Sequence, residues 1–335
     1  MAAGNVSTVK PGDAVILYPS TACESGDGAT WIVPVHAWVY VPQASHLRRG
    51  AIAELLRLGY GLDVRADSAP YFDRRINLLL ADNKRGRRLV LDIAGVEVVL
   101  PPTAADGHVT GEARIAKSAA ASAGARLTMR VVLPPTDRRT IEALAELVAA
   151  TGSSVISDID DTVKITQVHD KRQMWAATFY QPFEPVAGMA AAYQRLAAGG
   201  ASFHYVSSSP WHLGEPLLEF LAESRFPVSA IDLKHIRLKD RTALNVTRPG
   251  RETKPPLIEA IFAQFPKRTF VLIGDSGEDD PEVYAATLQR HPDQVAGIYI
   301  RNITGACRDD ARFSRTFKDI EPARWSLFED PADIK

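Results

Sequence analysis

The chain has 335 residues, 46% hydrophobic and 24% charged, with a formal net charge of −1; this is enough to bury a large core and fits two domains better than one. The near-neutral balance excludes the general polyanion attraction on which a non-specific nucleic-acid binder depends. The only two cysteines, Cys23 and Cys307, exclude a disulfide framework and a CxxC metal pair, and read as free thiols in a reducing compartment. No apolar run is long enough to span a bilayer, and the opening MAAGNVSTVKPG has neither a basic nor an apolar leader region. The expectation is a cytoplasmic protein for which peripheral membrane contact is permitted.

In chain order, short strands are predicted at Ala14 to Tyr18, Ile32 to Val41, Ile76 to Ala81, Leu89 to Ile93, Val96 to Leu100 and Leu127 to Leu133, where β-branched and aliphatic residues recur between turn residues. One helix interrupts them, from Ser45 to Leu58, with Leu47, Ile52, Leu55 and Leu56 as a loose stripe. A β-rich, sandwich-like N-terminal domain over residues 1–135 follows, with a membrane or substrate-recognition role open to it. His36, His46 and His108 are isolated in sequence and read as surface or satisfied histidines. Lys84, Arg85, Arg87 and Arg88 around Gly86 read first as a solvated hairpin tip, with attraction to anionic headgroups as the alternative.

A helix over Asp137 to Ala150 is predicted from Ile141, Leu144, Leu147 and Val148; it opens the second domain, residues 136–335. From Ser153 the pattern changes to apolar strands alternating with amphipathic helices. That alternation implies right-handed crossovers and a parallel three-layer α/β sheet, with ligands beyond the carboxyl ends of the strands.

Every chemically loaded stretch falls at such an end. Val155 and Ile156 run into Asp158, Asp160, Asp161 and Thr162. Carboxylates that close raise one another's pKa, a divalent cation relieves them, and oxygen-only ligands favour Mg²⁺ over Zn²⁺. FHYV runs into Ser207, Ser208 and Ser209, hydroxyls suited to a phosphate oxygen but equally at home in a polar loop. Lys254, at a helix start, is placed to neutralise a phosphoryl group; Lys239, in the basic stretch Lys234 to Arg241, is its competitor. FVLIGDSGEDDPEVY breaks at Gly274 into Asp275, with Asp280 and then Asp279 as choices for a second acid.

DIDDTVK, FHYVSSSPW and GDSGEDDPEVY, with PFEPVAGM before the second, resemble the catalytic-domain family of actin-patch-associated, Mg²⁺-dependent phosphatidate phosphatases and their bacterial relatives, within the haloacid dehalogenase (HAD) superfamily. The resemblance runs from about Ser153 to Ile303 and implies a HAD-like Rossmannoid fold with a minimal cap. It implies Asp158 as nucleophile, Asp160 as general acid and base, Ser207 and Lys254 on the phosphoryl oxygens and Ser208 and Thr162 near substrate. Asp158, Asp160, Asp275 and Asp280 or Asp279 would lie around Mg²⁺, and phosphatidate would be hydrolysed through an aspartyl-phosphate. Little chain separates Asp158 from Ser207, so the site is expected to be open, as suits a lipid headgroup. Trp175, Phe179, Tyr180 and Phe183 read as an interfacial lip or as core. The alternatives are a phosphatase for a soluble or macromolecular phosphomonoester, and a membrane- or protein-binding module with secondary catalysis.

Overall fold

The alternation of the first half becomes nine strands: β1 (Ala14–Leu17), β2 (Ser20–Glu24), β3 (Thr30–Val41), β4 (Asp82–Asn83), β5 (Arg88–Ile93), β6 (Val96–Pro102), β7 (His108–Ala116), β8 (Arg126–Val131) and β9 (Glu142–Val148). They join in one sheet, ordered β1-β3-β2-β9-β8-β5-β6, with β4 and β7 also paired to β3. Residues on the inner side of β8, Leu127, Met129 and Val131, alternate with exposed ones, and they pack with Val33, Val35, Leu89, Leu91 and Ala145 into one core. The computed structural model describes residues 5–42, 46–234 and 250–335. The chain forms two compact units, Met1–Ala44 with Asn77–Ala150, and Ser45–Ile76 with Thr151–Lys335.

Three expectations for residues up to Ala150 are corrected. Within the helix predicted from Asp137 to Ala150, Glu142–Val148 form β9, which pairs with β8 antiparallel and β2 parallel. Both edges of its backbone are satisfied there, and that tertiary pairing outweighs the helical spacing of Leu144, Leu147 and Val148. Ile76 to Ala81, predicted as a strand, instead carries the end of a helix over Ala69–Leu79. His36 and His108 are not isolated: the pairing of β3 with β7 brings them side by side, with His36 Nε2 2.9 Å from His108 Nδ1. In the basic turn, Lys84 pairs with Asp82 and Arg87 with the buried Asp13, so two of its four charges are already committed within the fold.

Among its described residues the second unit holds six parallel strands, β10 (Gly152–Ser157), β11 (Ser202–Pro210), β12 (Ala230–Lys234), β13 (Arg268–Asp275), β14 (Val295–Arg301) and β15 (Trp325–Phe328), ordered β12-β11-β10-β13-β14-β15. Its helices are α1 (His46–Tyr60), α2 (Ala69–Leu79), of which the residues to Ile76 belong to this unit, α3 (Lys171–Phe179), α4 (Met189–Ala198), α5 (Gly214–Glu223), α6 (Gly250–Gln264), α7 (Asp280–Arg290) and α8 (Ala311–Thr316). The parallel α/β expectation holds. The order puts β10 between β11 and β13, with Ser157 level with Tyr205 and Ile273, so three motif-bearing strands end side by side.

Helices α1 and α2 come from the first half of the chain yet pack on α3. Arg172 Nε donates to the Tyr60 carbonyl at 3.0 Å, and the Phe72 and Tyr180 rings lie 4.9 Å apart. The short connection after Asp158 is thus supplemented by a helical pair that its own length does not reveal. Trp175, Phe179 and Tyr180 are buried, which settles those three as core rather than an exposed lip.

Candidate active site

β10 ends at Ser157, and the chain turns so that Asp158 N donates to Ile273 O at 2.9 Å. The turn continues through Asp161, whose φ of +55° lies in the left-handed region. Its carboxylate accepts from Thr166 N, Gln167 N and Val168 N at 2.8, 2.8 and 2.7 Å. Those three bonds offset the backbone cost and make Asp161 the brace of the loop rather than a reacting group.

The loop presents its other two acids to different partners. Asp158, fully buried, lies with Asp275 and Asp280, one carboxylate oxygen of each within 4.8 Å of the others. Lys254 Nζ is 2.7 Å from Asp158 Oδ1 and 3.4 Å from Glu278 Oε2, and it also pairs with Asp280. Asp160 stands outside that group. Its Oδ1 takes Lys164 Nζ and Thr166 Oγ1, both at 2.8 Å, and its Oδ2 takes Ser207 Oγ at 3.0 Å and Ser209 Oγ at 2.9 Å.

The two carboxylates are tuned in opposite directions. Burial pushes Asp158 well above the usual carboxylate range; Lys254 pulls it down, but Asp280, Glu278 and Asp275 reinforce the rise. Asp275 and Glu278 are raised in the same way, burial first. Lys254 is raised despite burial because carboxylates surround it. For Asp160, burial acts upward, but the charge of Lys164 with bonds from Lys164, Thr166 and Ser209 holds the group well below its ordinary value.

Two glycines permit the fourth motif. A Cβ on Gly274 would run into the Asp280 carboxylate, and one on Gly277 would sit 3.0 Å from Asp275 Oδ1. With Gly277 in place, its N–H donates to Asp275 Oδ1 at 2.6 Å, which aims the other oxygen elsewhere. Asp275 Oδ2 and Asp158 Oδ2 are buried and have no hydrogen-bond partner among the described residues. Buried polar oxygens are rarely left so. Orphaned oxygens on clustered carboxylates fit a hard divalent cation.

The remaining expected residues are distributed as follows. Thr162 is buried, its Oγ1 unpartnered among the described residues. Ser208 bonds Thr253 at 2.8 Å, not the carboxylates. Asp279 pairs with Arg251 at 2.6 Å and is outside the three-acid group, whereas Asp280 is within it. Lys254 sits inside α6, near its start. Lys239 lies outside the described residues. Sequence reading missed Lys164 and Glu278, although Lys164 is the last residue of DIDDTVK, and it singled out Ser207 and Ser208 over Ser209, the last of the serine run.

The adjacent strand ends of this parallel α/β sheet gather acids about a buried lysine, at the edge where such sheets bind ligands. Residues 153–302 match the family described as phosphatidate phosphatase APP1, catalytic domain, which bears out the resemblance carried by the motifs. The chain is 34% identical over 169 residues to phosphatidate phosphatase APP1 of Saccharomyces cerevisiae, covering 49% of this chain and 28% of that protein. It is 33% identical over 156 residues to an uncharacterized protein of Schizosaccharomyces pombe, covering 45% and 25%. The chain thus spans about a quarter of the length of these relatives. Among solved structures, it is similar to the D,D-heptose 1,7-bisphosphate phosphatase from B. bronchiseptica complexed with magnesium and phosphate, at 16% identity and a TM-score of 0.33, covering 54% of this chain and 95% of that one. A putative beta-phosphoglucomutase from Thermotoga maritima gives 13% identity and a TM-score of 0.32, covering 54% and 96%.

Proposed function

We propose that the second unit is a Mg²⁺-dependent phosphomonoester hydrolase that works through an aspartyl-phosphate, with phosphatidate as substrate. The observation that carries this reading is the meeting of Asp158, Asp275 and Asp280 beside Lys254 while Asp160, two residues from Asp158, is held apart by hydroxyls and Lys164. Asp158, Asp275 and Asp280 would hold the metal, which when bound supplies positive charge opposite the phosphoryl oxygens.

On this reading each step falls to a residue of the site. Asp158 attacks phosphorus through a carboxylate oxygen; the P–O bond to the leaving alcohol breaks, and Asp160, held ionised at rest by Lys164, relays to that alcohol the proton of the monoanionic ester. Lys254 offsets charge on the nucleophile and phosphoryl group, and Ser207 supplies a hydroxyl beside Asp160. In the second half-reaction Asp160 takes a proton from water, which attacks the acyl phosphate and returns Asp158 and inorganic phosphate.

The lipid assignment rests on the family match over residues 153–302 and the similarity to a phosphatidate phosphatase. No helix among the described residues is long and apolar enough to cross a membrane, so a lipid substrate would be met at the surface of its bilayer, by a protein we place in the cytoplasm. Phosphate release from phosphatidate vesicles and from a panel of soluble phosphomonoesters, each with Mg²⁺ and with chelator, is the test. Release from the lipid, abolished by chelator and by Asp158→Asn, is expected. Equal release from soluble esters would replace the lipid assignment by a soluble or macromolecular one, and release undiminished in Asp158→Asn would end the aspartyl-phosphate reading.

A further inference from the structure

Arg75, far upstream of the motifs on α2, is almost fully buried, at 5% exposure, and makes no ion pair among the described residues. A buried guanidinium without a carboxylate is costly, and burial lowers its pKa to about 10. Its donors go to backbone instead. Nη1 reaches the carbonyls of Thr178 at 3.0 Å and Gln181 at 2.7 Å, with Ala177 O at 3.5 Å, at the end of α3 where helix carbonyls lack partners and a cation is favoured.

The same guanidinium lies over Phe183, Cζ 3.7 Å from the ring centroid. That ring carries a second cation, Lys164 Nζ, at 4.9 Å. Backbone bonds hold the two segments together: Ile165 N donates to Glu184 O at 2.8 Å and Val186 N to Val163 O at 2.9 Å. Lys164 itself, at 2% exposure, ends on Asp160 Oδ1 at 2.8 Å. A continuous packed path therefore runs from α2 through an aromatic ring and a lysine to the carboxylate of the DxD loop.

We propose that Arg75 is a positioning residue for Asp160, acting through Phe183 and Lys164. The inference rests on the hydrolase reading above, in which Asp160 moves the protons. Arg75 fixes where the chain leaves α3 and presses Phe183 into place; the ring face confines the Lys164 ammonium; and Lys164 orients Asp160 with its second oxygen turned to Ser207 and Ser209. The helical pair contributed by the first half of the chain thus becomes a working part of the proton-transfer machinery, not only a cover over α3.

The experiment is steady-state kinetics with Mg²⁺ on a small soluble phosphomonoester and on phosphatidate vesicles, for the wild type, Arg75→Met, Arg75→Lys, Phe183→Leu and the double variant Arg75→Met/Phe183→Leu, with melting curves for each. Expected are kcat losses of roughly ten- to a hundred-fold for Arg75→Met and Phe183→Leu, the range typical of groups that orient a reacting residue from outside. KM for the soluble ester is expected to stay unchanged, with partial recovery in Arg75→Lys. The double variant is expected to be no slower than its slower parent, since both act on one path. Wild-type kcat in a folded Arg75→Met overturns the proposal, as do losses that multiply in the double variant. Should Arg75→Met not fold, Phe183→Leu decides by the same criterion. A wild type silent on both substrates would fail at an earlier point, removing the hydrolase reading and this inference with it.

Discussion

At the scale of single residues, the second unit turns on Lys254. Its ammonium is the one positive charge among the described residues in ion-pair contact with Asp158, Asp280 and Glu278, and it has 0% exposure. Replacing it by Met leaves buried acids facing one another, and breaking such a group typically costs about 3 to 5 kcal/mol. Lys254→Met is therefore expected to be strongly destabilised in urea titrations without metal, and to recover in part with Mg²⁺. A variant as stable as the wild type in metal-free buffer would show that the acids had shed their charge instead. Gly274→Ala makes a second case: the added methyl would displace the Asp280 carboxylate. It is expected to abolish Mg²⁺-dependent stabilisation, measured by calorimetry, even where the fold survives.

At the scale of elements, α3 is the joint between the DxD loop and the helical pair. Its N-cap Asp170 accepts from Arg172 N at 2.9 Å and Gln173 N at 3.1 Å, and Asp170→Ala is expected to cost about 1 kcal/mol, read from the urea midpoint; no change would mean that packing alone fixes the helix. This scale also separates what the sequence disclosed from what it hid. Strand ends bearing Asp158, Ser207 and Asp275 were legible because acids and hydroxyls stand directly after short apolar runs, where a parallel sheet presents its ligand edge. β9 was not, because whether Leu144 and Val148 stack along a helix or alternate in a sheet is decided by β2 and β8, which are remote in sequence. Arg75 was silent for a related reason: its partners are backbone carbonyls of α3 and a phenyl ring, and neither leaves a trace in residue type. Glu278, one residue before the two acids weighed for the metal, was hidden by their company.

At the scale of the whole molecule, one part of the acid response lies in the first unit. Asp13 has 2% exposure, accepts Arg87 Nε at 2.6 Å and Lys10 N at 2.9 Å. Burial raises its carboxyl, but the bonds from Arg87 and Lys10 and the charges of Arg87 and Lys84 hold it below its ordinary value. A carboxyl depressed on folding binds fewer protons folded than unfolded. Its contribution is thus complete above the unfolded pKa, near 3.9, and is lost as pH falls from there through the lower folded value. Charge-assisted hydrogen bonds of this kind contribute about 1.5 to 3 kcal/mol. Arg87→Met is accordingly expected to lower unfolding free energy by about that amount at pH 7 and pH 5, and by progressively less as pH falls below 4, so that the urea midpoints of variant and wild type converge. A gap that stays the same at pH 3 would place the contribution of Arg87 in the packing of its aliphatic stem instead of in its bond to Asp13, and would remove this pair from the acid limb of the protein's stability.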